Sequence, residues 1–245
     1  ISDTFRDMYL SDPQNRNAIL KYNYENLFIM NWSYQFVYNS RSLGNSASNY
    51  GTNAYTIRLG IETAGNLLYG LSSASSMKRN ADNQYTLFGI AYAQYAKLDF
   101  SFCKSFLINK NNSFAMRAAF GIAAPYGNSD ILPYEKRYFS GGANSVRGWS
   151  VRELGPGSFI GNDGRIDFIN QTGDIKLDLN VEYRTHLFWK FDGAAFIDAG
   201  NIWTIRDYKE QPGGQFRIDE FWRQIAVSYG LGIRLNLGYF ILRFD

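Results

Sequence analysis

Residues 175–187 decide the fold, and they read Ile-Lys-Leu-Asp-Leu-Asn-Val-Glu-Tyr-Arg-Thr-His-Leu. Apolar or aromatic residues hold almost every odd position, and polar residues hold the even ones. Successive side chains of a β-strand point to opposite faces, so this stretch predicts a strand with one apolar and one polar face. Residues 223–237 repeat the pattern, and both runs exceed the usual strand of about five or six residues.

Weaker alternation of the same kind occurs elsewhere and brings the total to about eight strands: residues 32–38, 55–61, 98–102, 114–122, 192–203 and 239–244. Residues 109–112, Asn-Lys-Asn-Asn, predict a tight hairpin turn, and all 5 prolines fall outside the alternating runs. The pattern predicts a single short helix, near residues 4–10. We therefore expect an all-β chain.

Strand length separates the two architectures that give such runs, a soluble sandwich and a transmembrane barrel. Strands of about 9 to 11 tilted residues span a bilayer, and the longest runs reach that length. Aromatic residues at strand ends resemble the girdles of membrane barrels: Trp32, Tyr38, Tyr55, Trp189, Trp203 and Trp222. The barrel is favoured, with Leu179, Val181, Leu231 and Ile233 facing lipid and Asn180 and Gly232 facing the lumen.

Composition excludes several other classes. The 245 residues are 45% hydrophobic and carry a net charge of +3, which argues against disorder. The single cysteine, Cys103, cannot form an internal disulfide, and the single histidine, His186, leaves little for a multi-histidine metal site or a catalytic triad. Scattered cations predict no nucleic-acid partner. Carboxylates such as Asp178 are the normal lining of a barrel, so we predict no enzyme, metal or cofactor.

A segment without alternation, residues 124–172, separates two of the predicted strands. It is far longer than an ordinary connection, and its aromatic residues need burial, which favours a loop inserted into the lumen. These aromatics are Tyr126, Tyr134, Tyr138, Phe139, Trp149, Phe159 and Phe168. Residues 162–164, Asn-Asp-Gly, with Asp167 could suggest calcium, but they lack the full twelve-residue pattern and predict a turn.

Three motifs in this part of the chain carry a resemblance. Val146-Arg147-Gly148-Trp149 follows Phe139-Ser140-Gly141-Gly142, Glu182 lies in Leu-Asn-Val-Glu-Tyr-Arg, and residues 196–200 read Phe-Ile-Asp-Ala-Gly. In this order they resemble the BamA/TamA superfamily of outer-membrane assembly factors, although the family usually has Phe or Tyr where this chain has Trp149. Residues 125–130 and 154–157 look most like the TamA-like (TamL) branch of Bacteroidota.

The resemblance implies a fold and a location. The chain would be the C-terminal half of an antiparallel 16-stranded transmembrane β-barrel with a long plug loop, in the bacterial outer membrane. Residues 1–245 would form one incomplete barrel domain of a longer protein, with residues 124–172 as the lumen-inserted extracellular loop. An open half barrel would leave strand edges unpaired in lipid, which is why a longer chain is expected.

The resemblance also implies a function, namely insertion or translocation of other proteins at the outer membrane without nucleotide. Its partners would be outer-membrane lipids, unfolded outer-membrane protein substrates and periplasmic or lipoprotein accessory subunits. Two other classes stay open: a passive outer-membrane channel or two-partner secretion pore, and a soluble all-β binding module.

The loop arginine of this family meets acidic residues on the inner wall, which here implies contacts of Arg147 with Glu182 and Asp198. Both carboxylates lie on polar rows of their strands, so we expect hydrogen bonds of about 2.7 to 3.2 Å. Gly141 and Gly142 fit tight turns, since no phosphate-binding sequence follows them. Gly148 would let the backbone approach the wall, Trp149 would pack beside it, and Arg152 would be less constrained.

Overall fold

One long antiparallel sheet forms most of the computed structural model, which describes residues 23, 24, 26–40, 53–161 and 169–245. The long strands are β2 (Asn31–Asn39), β3 (Ala54–Ala64), β6 (Tyr95–Leu107), β7 (Asn112–Pro125), β8 (Ile175–Phe188), β9 (Phe191–Trp203), β10 (Ala226–Asn236) and β11 (Ile241–Phe244). They form an 8-stranded sheet in the order β11-β10-β9-β8-β7-β6-β3-β2. The predicted all-β fold is confirmed, and each of the eight predicted strands corresponds to one strand of this sheet.

Cross-strand register separates the sheet into a polar face and an apolar face. Asn180 pairs with Asp198 and Glu182 pairs with Phe196, which places these side chains on the polar face. The residues predicted to face lipid lie on the opposite face and are exposed there: Leu179 40%, Val181 36%, Leu231 81% and Ile233 51%. All four therefore lie on the face opposite the polar one, and their exposure in a long apolar row fits the predicted contact with hydrocarbon.

Three short turns lie at one end of the sheet, and three long connections lie at the other. Residues 108–111, 189–190 and 237–240 are the short turns. In the first of them, Oδ1 of Asn109 accepts hydrogen bonds from the backbone N–H groups of Asn111 and Asn112, both at 2.9 Å. This Asx geometry confirms the hairpin predicted there. Residues 65–94, 126–174 and 204–225 form the long connections at the opposite end.

The connection after β3 contains structure that the alternation did not predict. In this connection, helix α1 (Asn66–Ala74) follows Gly65, and the short strands β4 (Thr86–Leu87) and β5 (Ile90–Tyr92) form a separate 3-stranded sheet with β1 (Leu27–Phe28), which precedes β2. The expectation of no helix beyond residues 4–10 is therefore wrong. Gly65 provides no side-chain cap, and no acidic residue marks the first turn, so the usual helix-start signals are missing. Residues 4–10 themselves lie outside the described residues.

Two further expectations fail, one at the end of β9 and one at the start of β10. Trp203, predicted in an aromatic girdle, is only 1% exposed because Phe216 and Phe221 of the following connection pack edge-on against its ring. The strand predicted from residue 223 begins at Ala226, because Phe221–Gln224 form a 3-10 turn. Four of the other predicted girdle residues stay on the surface, namely Trp32, Tyr38, Trp189 and Trp222, which are 75%, 45%, 68% and 53% exposed. Tyr55 is half-buried.

The described residues of the 126–174 connection pack against the polar face of the sheet. Tyr138 and Gly173 exchange two backbone hydrogen bonds of 2.8 Å, which close the base of this loop. Of the aromatics expected to need burial, Tyr138 and Phe159 are buried, whereas Tyr126 and Phe139 are 36% and 41% exposed. Phe168 and the 162–167 turn lie outside the described residues. In the part of the chain that the structure describes, no helix is long and apolar enough to cross a membrane.

Candidate functional site

Arg147, at the tip of the long loop, is held by carboxylates from two neighbouring strands. Its Nε and Nη2 donate to Oδ2 and Oδ1 of Asp198 at 2.6 and 2.9 Å, a bidentate pair, and its Nη1 donates to Oε2 of Glu182 at 2.9 Å. The Arg147 side chain is 8% exposed and that of Asp198 is 0% exposed. The structure thus brings together the three residues whose contact the resemblance implies.

A third carboxylate, which the sequence did not indicate, belongs to the same site. Oδ2 of Asp245 lies 3.3 Å from Nη1 of Arg147 and 2.7 Å from Nε of Arg243. Burial acts to lower the pKa of Arg147, but its hydrogen bonds to Asp198 and Glu182 outweigh this and hold that pKa above its ordinary value. The guanidinium therefore remains charged at any physiological pH.

Three successive backbone carbonyls of the loop tip accept hydrogen bonds from polar side chains of three different strands. Arg243 donates to the carbonyl of Ala143 at 2.6 Å, Arg117 to that of Asn144 at 2.7 Å, and Asn180 to that of Ser145 at 2.7 Å. Sequence reasoning missed Arg117 and Arg243, since loop carbonyls leave no signal in a sequence. These contacts fix the tip to β7, β8 and β11 together.

An aromatic ring lies beneath the guanidinium. Cζ of Arg147 is 3.5 Å from the ring centroid of Phe196, which points from β9 to the polar face. The ring fits there because the residue opposite it on β10 is Gly230, where a Cβ would lie 2.5 Å from Cζ of Phe196. An arginine stacked on a ring and bonded to a carboxylate is restricted in both position and tilt.

Close approach of the loop to the wall involves Val146 and Gly148. Val146 is 0% exposed, and a Cβ at Gly200 of β9 would lie 3.2 Å from its Cγ2. A Cβ on Gly148 would lie 2.6 Å from Cβ of Ser228 on β10, so the absence of a side chain permits the contact. Trp149, which we expected to pack against the wall, is only half-buried. The apolar anchor of the motif is Val146.

The loop around the tip folds on itself as a compact turn. Gly141 and Gly142 have positive φ angles of 94° and 86°, a region that L-residues rarely adopt. The N–H of Gly142 donates to the carbonyl of Trp149 at 2.7 Å, and that of Arg152 donates to the carbonyl of Ser140 at 2.9 Å. The Arg152 guanidinium packs 4.8 Å from the centroids of both Tyr134 and Phe139. It is more constrained than the sequence suggested.

Other carboxylates and the histidine of the polar face also have partners. Glu182 also accepts from Nε of Arg184 at 2.6 Å and from Arg234. Asp178 accepts from Oγ of Ser145 at 2.7 Å and pairs with Lys176, and His186, for which no partner was expected, lies 2.9 Å from Asp192. Within the part of the chain that the structure describes, three or more metal-ligating side chains do not cluster. The site therefore holds the loop in place through ion pairs and hydrogen bonds.

An antiparallel sheet with long strands, an exposed apolar face and a polar face that holds a long loop defines the wall of a transmembrane β-barrel. A model of the Omp85 superfamily domain matches residues 6–245. The chain therefore belongs to the Omp85 superfamily and is a protein of the bacterial outer membrane.

Two known proteins resemble the chain over part of their length. It is 27% identical over 114 residues to the outer membrane protein assembly factor BamA of Neisseria meningitidis serogroup B, a match that covers 43% of this chain and 13% of that protein. The crystal structure of BamA from Haemophilus ducreyi lacking POTRA domains 1-3 aligns with a TM-score of 0.49 and 13% identity, over 88% of this chain and 50% of that one. The chain thus spans half or less of either relative.

Proposed function

We propose that this chain is the barrel region of a factor that inserts or translocates proteins at the bacterial outer membrane. The observation that carries the proposal is the fixation of Arg147 by Asp198, Glu182 and Phe196 on the polar face. Residues 124–172 would be the extracellular loop folded into the lumen, with Val146, Arg147, Gly148 and Trp149 as its functional motif. A loop fixed across the lumen obstructs a steady aqueous path.

The mechanism requires no catalytic residue and no cofactor. A substrate strand would add to an exposed sheet edge through main-chain hydrogen bonds, and its own folding in lipid would supply the free energy. The fixed loop would keep the lumen occupied and the wall rigid while this occurs. Partners would be outer-membrane lipids, unfolded outer-membrane proteins and periplasmic or lipoprotein accessory subunits. The name of the Neisseria relative, an outer membrane protein assembly factor, supports this class.

Membership of the TamA-like (TamL) branch of Bacteroidota is also proposed. It is supported by residues 125–130, Pro-Tyr-Gly-Asn-Ser-Asp, and residues 154–157, Leu-Gly-Pro-Gly. A lipid-modified cysteine at the mature N-terminus of the full-length protein, detected by mass spectrometry, would support this assignment. Its absence would favour another branch of the superfamily.

The test of function uses the full-length protein in a strain depleted of its own copy. Newly made outer-membrane barrel proteins are followed by their heat-modifiable migration, a property of folded barrels. Arg147→Ala should lower the folded fraction severalfold. The matched control is Arg217→Ala, an exposed loop arginine whose partners, Asp219 and Glu220, are also exposed. Normal assembly in the Arg147→Ala strain, with the variant present at wild-type amount, would contradict the proposal.

The alternative, a passive channel or two-partner secretion pore, makes a different prediction in planar bilayers. A passive channel conducts ions steadily, and its loss leaves the assembly of other barrels unchanged. The assembly factor should conduct weakly until the loop is released, so Arg147→Ala should raise its conductance. Steady wild-type conductance together with normal assembly after depletion would favour the channel.

A further inference from the structure

A second arginine of the same loop, Arg137, is buried more completely than Arg147. Its side chain is 0% exposed, and its Nε lies 3.7 Å from Oδ1 of Asp174, which is 1% exposed. Its Nη1 donates to Oγ1 of Thr172 at 3.0 Å. A buried cation requires compensating partners, so this pair has to be maintained wherever the loop is folded. It lies at the base of the loop, beside the bridge between Tyr138 and Gly173.

The same arginine contacts the next long connection, residues 204–225. Cζ of Arg137 lies 5.6 Å from the ring centroid of Tyr208, which is 8% exposed. The partner carboxylate makes a contact in the same direction, since Oδ2 of Asp174 accepts the N–H of Ile205 at 3.0 Å. Both members of the ion pair therefore touch both connections, which places the pair at the junction between them.

Further hydrogen bonds join the two connections around this pair. Nε2 of Gln211, which is 0% exposed, donates to the carbonyl of Thr172 at 2.9 Å and to that of Asn170. The N–H of Ser158 donates to the carbonyl of Gly213 at 3.1 Å. Most of these groups are backbone donors and acceptors, and such groups can form hydrogen bonds in many alternative pairings. Arg137 adds a buried charge to this junction: its Nη1 donates to Thr172 and its Nε lies 3.7 Å from Asp174, so an arrangement that separates it from Asp174 would leave the cation without a counter-charge.

We propose that Arg137 is a positioning residue that fastens residues 126–174 to residues 204–225, so that the two connections form one cap over the end of the barrel. It acts through Asp174 and Tyr208, whereas Arg147 acts through Asp198, Glu182 and Phe196. The loop is thus fixed at two places with separate partners, its tip at the wall and its base at the cap. This inference rests on the lumenal position of the loop under the proposed function.

The test measures cleavage of residues 204–225 by proteinase K added to intact cells that carry the full-length protein in a Cys103→Ser background. Arg137→Gln should raise the cleavage rate at least tenfold. The control is Arg206→Gln, which removes a charge that also links the two connections, through Asp130, but in a pair whose side chains are 43% and 86% exposed. Exposed pairs contribute little, so this control should change the rate less than twofold.

A disulfide separates positioning from general destabilisation. A Cβ at Gly213 would lie 3.7 Å from Cβ of Ser158, within the range of disulfides. In Arg137→Gln, the added pair Ser158→Cys and Gly213→Cys should restore slow cleavage when oxidised and lose it on reduction. Gly213 has a φ of 76°, so the same oxidised pair in an otherwise wild-type chain is the control for strain. Rapid cleavage of oxidised Arg137→Gln with slow cleavage of this control would overturn the proposal. If Arg137→Gln does not reach the membrane, Asp174→Asn, an isosteric change, serves instead with the same expected results.

A cleavage rate of Arg137→Gln within twofold of wild type would also overturn the proposal. The readout is independent of substrate assembly. The cap proposal can therefore fail while assembly still depends on Arg147, and it can hold even if the protein proves to be a channel.

Discussion

Cζ of Arg147 lies 3.5 Å from the ring centroid of Phe196, while Asp198, two residues along the same strand, accepts two hydrogen bonds from the same guanidinium. Alternate residues of a strand share a face, so one strand supplies both the ring and the carboxylate. The Phe-x-Asp spacing of β9 therefore places a ring and a carboxylate side by side, where both contact the guanidinium of Arg147.

The contact between Arg147 and Phe196 can be tested by changing the ring and by changing Gly230, the residue opposite it. Phe196→Leu should loosen the loop tip by about 0.5 to 2 kcal/mol, the usual strength of a cation–π contact. Gly230→Ala should have a similar effect, because its Cβ would meet the ring at 2.5 Å. The control is Gly193→Ala on β9, where a Cβ would meet the flexible Leu187 side chain at 3.4 Å. Hydrogen exchange of residues 143–148 in the folded protein is the measurement. Equal protection in Phe196→Leu and wild type would rule out this role.

Arg147 and its carboxylates should behave as one unit. We expect Arg147→Ala and Asp198→Ala each to impair assembly, and the double variant to be little worse than either, because each single change already removes the shared contacts. Glu182→Ala should mimic the arginine loss only partly, since Arg147 keeps its bidentate bond to Asp198. Arg152→Ala should be milder than Arg147→Ala, because stacking on two rings is weaker than a bidentate bond to a buried carboxylate. Strict additivity in a double-mutant cycle would argue against coupling.

The approach of Gly148 to β10 predicts a suppressor. Gly148→Ala places a Cβ 2.6 Å from Cβ of Ser228, so the loop has to move away from the wall and Arg147 with it. Ser228→Gly removes that atom, and the double variant should recover most of the assembly activity. Failure of Ser228→Gly to relieve Gly148→Ala would show that the close contact is not the cause of the defect.

The apolar face predicts a graded cost for charge. Leu231→Arg near the middle of β10 should lower the free energy of unfolding in lipid by about 2 to 4 kcal/mol, because the guanidinium would lie in hydrocarbon. Ile218→Arg is the matched control, since Ile218 is 77% exposed in the connection after β9, outside the strands. Urea unfolding from lipid vesicles measures both. An equal cost at the two positions would be incompatible with the membrane orientation.

Alkaline pH should loosen the cap before it affects the tip. Burial, followed by the charge of Asp174, raises the pKa of Tyr208 to about 12 from an ordinary value of 10.0. The folded state therefore retains the phenol proton longer than the unfolded state, and this contribution to stability is complete below pH 10 and is lost as the pH rises towards 12. Tyr208→Phe should remove that part of the pH dependence of proteinase K cleavage. Identical profiles for the two proteins would refute it.

The sequence alone determined the two-faced sheet, because side chains of period two record directly which residues meet lipid and which meet the lumen. It also indicated Arg147, Glu182 and Asp198 as a group, through the resemblance carried by the three motifs and the positions of both carboxylates on polar rows of their strands. Tertiary structure alone decided which atoms form hydrogen bonds with the loop. The carbonyls of residues 143–145 have no sequence signature, and Arg117 and Arg243 are ordinary polar-row residues until the loop lies on them. Helix α1 and the burial of Trp203 were decided in the same way, since both depend on what the long connections fold against. The alternation of a strand shows which of its faces is apolar and which is polar, whereas the surroundings of a connection depend on how it packs against the sheet.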